Sequence, residues 1–221
     1  MRNFCQYIFL LVFVFSISQQ GYSQTLFNIK GGIGLQNQAN SDGDFKFAFN
    51  AGISYEYKFS DLLWIDLGVD YTQKGTNLGV FQNVTQFTTR INYVEIPVYV
   101  KYRYLVTEDV NWAIYAGPSL GYALNASNRF FRIAQPVILD IPIGGDAGIT
   151  QIEPAINVGA EINFGVEYGY MGLYTNFQYG LNTAFTGING IAVRNYGITA
   201  GLKIQIGDKL EVKNPYDRDD N

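Results

Sequence analysis

The run from Tyr93 to Tyr104, YVEIPVYVKYRY, constrains what this chain can fold into more than any other stretch. Successive side chains of an extended strand point to opposite faces. One face here is Val94, Ile96, Val98, Val100, Tyr102 and Tyr104, apolar throughout. The other is Tyr93, Glu95, Pro97, Tyr99, Lys101 and Arg103, with charges of both signs. A strand this long and this strictly two-sided must separate two unlike media. Pro97 has no amide proton to give to a ladder, so it marks an edge, a bulge or a local break in pairing.

Seven further stretches repeat the pattern: Phe27–Asn37, Phe45–Phe59, Leu63–Lys74, Trp112–Ala126, Ile152–Glu167, Met171–Asn182 and Tyr196–Ile206. In Phe45–Phe59 the odd positions run Phe, Phe, Phe, Ala, Ile, Tyr, Tyr, Phe, while Lys46, Asn50, Glu56 and Lys58 alternate with them. No stretch shows a helical period. Alternation alone fits a soluble barrel or sandwich as well as a membrane barrel, and three features separate them. Glycines such as Gly32, Gly52, Gly121, Gly159 and Gly201 fall on the polar face. There they would weaken a solvated strand, yet they suit a crowded interior. Tight joins near Ser60–Asp61, Val106–Asp109 and Tyr168–Tyr170 alternate with long ones across Gln38–Asp44, Gly75–Thr88, Ser127–Gln151 and Thr183–Val193. Short turns on one side and long loops on the other are the habit of outer-membrane barrels. Aromatics gather at both ends of the apolar band: Tyr55, Tyr57, Phe59, Tyr102, Tyr104 and Trp112 by the short turns, Tyr71 and Tyr122 toward the long loops. The fold expected is all-β, an eight-stranded antiparallel up-and-down transmembrane β-barrel over residues 24–207.

The address agrees. Arg2, the apolar run Tyr7–Ile17 and the small residues Gly21 and Ser23 read as a signal peptide over residues 1–23. The only cysteine, Cys5, would leave with it, so no disulfide or thiol chemistry is expected. Charged residues make up 15% of the chain, well under the roughly 25% usual for soluble domains. The formal net charge of −4 argues against nucleic acid as a partner. There is no histidine, which removes the commonest general base and metal ligand. No phosphate-binding glycine loop is present either. Neither an enzyme nor a cofactor is expected. Residues 208–221 are expected as an acidic, disordered periplasmic tail, the alternative being a tail packed under the barrel.

The sequence resembles the small outer-membrane β-barrels, porin-family or PorT-like, of Bacteroidota. The resemblance is carried by Leu67–Gly75 (LGVDYTQKG), Ile91–Tyr102 (INYVEIPVYVKY), Ala116–Tyr122 (AGPSLGY) and the terminal strand Gly201–Ile206. It implies a Gram-negative outer-membrane location and assembly by the barrel-assembly machinery. It departs from the common pattern in one respect, because the last strand ends on Ile206-Gly207 rather than on an aromatic residue.

An eight-stranded interior is only wide enough for side chains to fill. Lys30, Glu56, Asp66, Asp70, Lys74, Glu95, Lys101, Arg103, Glu161 and Lys203 lie on the polar face, and balanced charges in so small a space should pair as a plug. The cluster Asp66, Asp70 and Glu95 invites comparison with an acid–base or divalent-cation site, but the nearby cations favour pairing. The second candidate site is the longest loop, Ser127–Gln151. Its apolar Phe130, Phe131, Val137, Ile138, Leu139 and Ile141 should not stay bare in water. Packing on the barrel mouth is expected ahead of partner docking. A hairpin turning at Gly144-Gly145 is disfavoured, because Pro136 and Pro142 would interrupt its ladder. The function expected is a monomeric structural or interaction scaffold that displays extracellular loops and touches membrane lipids and one further envelope protein. The alternatives are a narrow passive pore and an accessory barrel of a secretion or envelope-assembly machine.

Overall fold

The structure, a computed structural model, describes residues 24–78, 86–132, 135–144, 148–185 and 193–210. The expected signal peptide lies outside the described residues. Ten strands form in chain order: β1 Thr25–Ala39, β2 Gly43–Asp44, β3 Lys46–Lys58, β4 Leu63–Leu78, β5 Gln86–Thr107, β6 Val110–Arg132, β7 Gln135–Ile141, β8 Ile152–Val166, β9 Gly169–Gly180 and β10 Arg194–Ile206. Each long strand pairs antiparallel with its neighbours in the order β1-β3-β4-β5-β6-β8-β9-β10, and β10 closes on β1. Among the described residues there is no helix. The eight alternating stretches are the eight barrel strands; β2 and β7 are additions on the long-loop side.

The closure has a measurable stagger. Crossing the wall from Arg103 leads through Ala113, Glu161, Tyr174, Gly201, Gly32, Asn50 and Thr72, and returns to β5 at Tyr93. Ten residues separate the start at 103 from the return at 93. Such a stagger obliges eight strands to tilt, by about 35–45° in barrels of this kind.

Alternation then decides what each medium sees. Ile33, Phe47, Ile53, Leu67, Val100, Ile114, Val158, Leu173 and Leu202 all stand outward and exposed. Apolar surface on that scale around the whole circumference is incompatible with water. Pro97 does break its ladder: β4–β5 pairing jumps from Leu67↔Val98 to Asp70↔Glu95. The short turns match their expected places. At the third, Gly169 takes φ +137°, and a Cβ there would lie 2.0 Å from the Gln205 carbonyl oxygen.

The long joins differ from expectation. Within residues 75–88, expected as a loop, Gly75–Leu78 and Gln86–Thr88 are strand, because Gly75–Leu78 stays paired with Phe87–Arg90. Ser127–Gln151 is not one loop either. β6 runs on to Arg132 and pairs with β7 from Arg132↔Gln135 to Ala126↔Ile141, so the hairpin that forms is not one centred on Gly144-Gly145. Pro136 is accommodated because β7 is an edge strand bonded to β6 alone, and Pro142 comes just after β7 ends.

Candidate functional site, the filled lumen

Six acidic residues, Glu56, Asp66, Asp70, Glu95, Glu153 and Glu161, face inward with six basic ones, Lys30, Lys46, Lys74, Lys101, Arg103 and Lys203. All but Lys46, which bonds the Lys74 carbonyl, are arranged in tiers along the axis. The tier nearest the short turns joins three acids to three bases. Lys101 Nζ lies 2.6 Å from Glu56 Oε1, 2.7 Å from Asp66 Oδ2 and 3.1 Å from Glu161 Oε2. Arg103 bridges Glu56 and Glu161, at 3.1 Å from Glu161 Oε1, and Lys203 reaches the same two carboxylates. Asn28 and Gln205 donate to Glu56 Oε1 at 2.9 and 3.1 Å, and Arg103 donates to Asn111 at 3.1 Å. The guanidinium also lies over the Trp64 ring, 5.0 Å from its centroid. These are charge-assisted bonds, and they occupy most of the acceptor and donor positions that burial would otherwise leave empty.

The middle tier is Lys30–Asp70, 2.8 Å apart, beside a group of tyrosines. Tyr99 and Tyr115 stack with centroids 5.0 Å apart, and Tyr174 donates to Asn50 at 2.9 Å. The glycines of the inner face make room for them. A Cβ on Gly159 would lie 2.3 Å from Tyr115 Cζ, and one on Gly32 would lie 2.7 Å from Tyr174 Oη. The cavity left among these residues is about 20 Å³, room for about one water molecule. In the tier toward the long loops, Lys74 Nζ lies 2.6 Å from Glu95 and 2.8 Å from Glu153. Gln178 donates to Glu95 and Asn195 to Glu153, at 2.8 and 2.6 Å.

Both ends are capped by apolar side chains. At the long-loop end Ile91, Tyr93, Ala123, Ala126, Ile149 and Ala184 form a buried cluster, with Ile141, Ile143 and Phe185 against it. At the short-turn end Leu26, Trp64 and Tyr170 pack with Leu210, and the Leu210 amide donates to Tyr170 Oη at 2.8 Å. Lys209 bonds Asp109 at 2.7 Å, which raises the pKa of this exposed lysine. Residues 208–210 thus turn under the barrel, so the expectation of a freely solvated tail fails there. The physical reason is Leu210, one apolar side chain that covers the open end of the lumen. Residues 211–221 lie outside the described residues.

Asp66, Asp70 and Glu95 do not form one carboxylate cluster: they pair with Lys101, Lys30 and Lys74, one in each tier. Glu153, on the polar face of Ile152–Glu167, pairs with Lys74; Trp64 lies under Arg103, and parity could have found it, since it falls on the polar face of its stretch. Glu167 shares the parity of Glu153 and Glu161, yet it is exposed in the turn after β8, beyond the wall. Of the loop residues, Phe130 packs edge-on against Phe87 with centroids 4.6 Å apart, and Ile141 joins the mouth cluster. Val137, Ile138 and Leu139 stay exposed on β7, and Phe131 pairs in the ladder opposite Gln86.

A closed antiparallel barrel with an apolar outside and a polar, filled inside is the form in which β-structure crosses a bilayer. A family model described as outer membrane protein beta-barrel domain matches residues 12–186. The chain belongs to that family and is an outer-membrane β-barrel protein. Among solved structures it is similar to Neisserial surface protein A, at 14% identity and TM-score 0.46, with 83% of this chain and 99% of that one covered. It is similar also to the outer membrane protein OprG from Pseudomonas aeruginosa, at 12% identity and TM-score 0.42, covering 85% and 96%. A third is the N-terminal barrel domain of Pseudomonas aeruginosa OprF, at 14% identity and TM-score 0.37, covering 82% and 99%. Among curated proteins none matches the sequence.

Proposed function

We propose that the protein is a sealed structural and interaction scaffold, a rigid barrel that displays the β6–β7 hairpin and its neighbouring loops outside the cell. The observation that carries this reading is the lumen: three tiers of paired charge, a residual cavity of about 20 Å³ and an apolar cap at each end. A passage for solutes would need a continuous wet path, and a buried charge without its partner is too costly to leave behind when one opens. A second reading, an accessory barrel docked to another envelope protein, draws support from Val137, Ile138 and Leu139. They are exposed on a strand that projects beyond the barrel wall. The short turns are taken to face the periplasm, as is usual for such barrels. Orientation and display are tested together by cysteine labelling. The sequence has a single cysteine, Cys5, inside the expected signal peptide. Ile138→Cys should react with an impermeant maleimide on intact cells, and Ser60→Cys should react only after lysis. The reverse pattern would overturn the display of the hairpin.

A further inference from the structure

The barrel wall is incomplete in one place. The β3–β4 ladder ends at Asn50↔Thr72, yet β4 continues to Leu78 and stays paired with β5 as far as Phe87. Over Lys46–Phe49, β3 is paired with β1 only. The two strands part between there and β2, which pairs Asp44 with Asn77 and Gly43 with Leu78, leaving a notch in the wall with a cavity of about 230 Å³. Lys46 Nζ donates across it to the Lys74 carbonyl at 2.8 Å, a group that a continued β3 ladder would have met.

Lys46, Arg90 and Arg129 all line this cavity, together with Ser127 and with Thr88 and Asn77, of which Thr88 donates to Asn77 at 2.8 Å and Asn77 to the Phe45 carbonyl at 3.2 Å. Arg90 stands opposite Ser127 and Thr88 opposite Arg129, so the two arginines are diagonal neighbours on β5 and β6. They share a face because of a bulge. The β5–β6 register shifts between Asn92 and Tyr93, after which Ala126 turns inward and Arg129 turns to the side of Arg90. Among the described residues none of the three cations forms an ion pair. Asp140 pairs by register with Ser127 but makes no salt bridge to either arginine, and the sequence of residues 79–85 contains no acid. The remaining wall is Phe47, exposed at 79%, on the same strand as Phe49, which packs on Tyr71 with centroids 5.6 Å apart. These outward aromatics belong to the girdle that sits at headgroup level.

We infer that the notch binds a phosphate-type oxyanion, supplied by a lipid headgroup or as the free ion. Three cations around one cavity repel each other until an anion enters. Arginine forks match tetrahedral oxyanions in paired hydrogen bonds, and Lys46 can keep its carbonyl with one proton and offer two others. The notch lies in the wall, so this inference is independent of whether the lumen is sealed.

The test is native mass spectrometry of the full mature chain in nonionic detergent, with phosphatidic acid and phosphatidylcholine of identical chains as probes. Wild type should retain one phosphatidic acid with a preference of about tenfold, a preference that falls as salt is raised. Arg90→Gln/Arg129→Gln should bind the two lipids alike, while Lys209→Gln, changed at the opposite end of the barrel, should bind as wild type does. Inorganic phosphate distinguishes the sources: competition at concentrations comparable to the lipid assigns the free ion, and no competition assigns the headgroup. Heat-modifiable migration checks that each variant is folded, and Arg129→Gln alone carries the test if the double variant is not. A double variant that keeps the wild-type preference, or a wild type with no preference and no phosphate binding, would overturn the site.

Discussion

Arg103 shows what the interior asks of a single residue. Its guanidinium joins Glu56, Glu161, Asn111 and the face of Trp64, and it is fully buried. Taking such ions out of water costs several kcal/mol each, so the tier is not a gain over a well-packed apolar core. Its energetic consequence appears when one member is removed. Arg103→Ala leaves two buried carboxylates short of a cation, and should lower unfolding stability in detergent micelles by about 3–5 kcal/mol. Arg103→Met together with Glu56→Gln should recover part of that loss, because fewer charges are then stranded. Size matters as much as charge. Gly159→Ala must displace Tyr115 and crowd the Thr175 carbonyl, both 2.3 Å from the new Cβ, and should cost about 1–3 kcal/mol. Gly31→Ala is the control. It faces outward with its nearest neighbour at 3.9 Å, and denaturation should find it neutral or slightly stabilising.

At the scale of the element, each strand was legible because its two faces meet media as different as lipid and a charged interior. Alternation in Tyr93–Tyr104 assigns every side chain of that strand to a face. A one-residue slip would turn Lys101 and Arg103 into the bilayer, where a cation costs about 2–4 kcal/mol at the midplane and less toward the interface. What alternation does not contain is the stagger between strands. The partners of Glu56 come from β5 and β10, far apart in sequence, and only the ten-residue offset of closure brings them together. Above the membrane the constraint relaxes and the pattern fades. Gly75–Leu78 and Ser127–Arg132 remain paired without regular alternation, which hid the β4–β5 and β6–β7 extensions. Pro136 is likewise no bar to pairing, since an edge strand has a free side where a missing amide proton costs no ladder bond. Because β7 pairs with β6 alone, replacing residues 130–140 by a short turn should leave the barrel heat-modifiable on gels. Loss of the heat shift would mean that the hairpin helps to hold the wall closed.

The whole molecule is a barrel with a uniformly apolar outside and an inside filled by paired charge. The charges form tiers, the tiers leave room for about one water, and Ile149 and Leu210 lie in the apolar clusters that cover the two ends. Ile149→Ala should thin the outer cap and cost about 2–5 kcal/mol in thermal or denaturant unfolding, without making a pore, because the three tiers stay in place below it. The most direct measurement is ionic current through the purified, folded protein in a planar bilayer. A sealed lumen predicts no steady conductance from wild type or from Ile149→Ala over the usual range of voltage. Regular, ion-selective openings of the wild-type protein would contradict it.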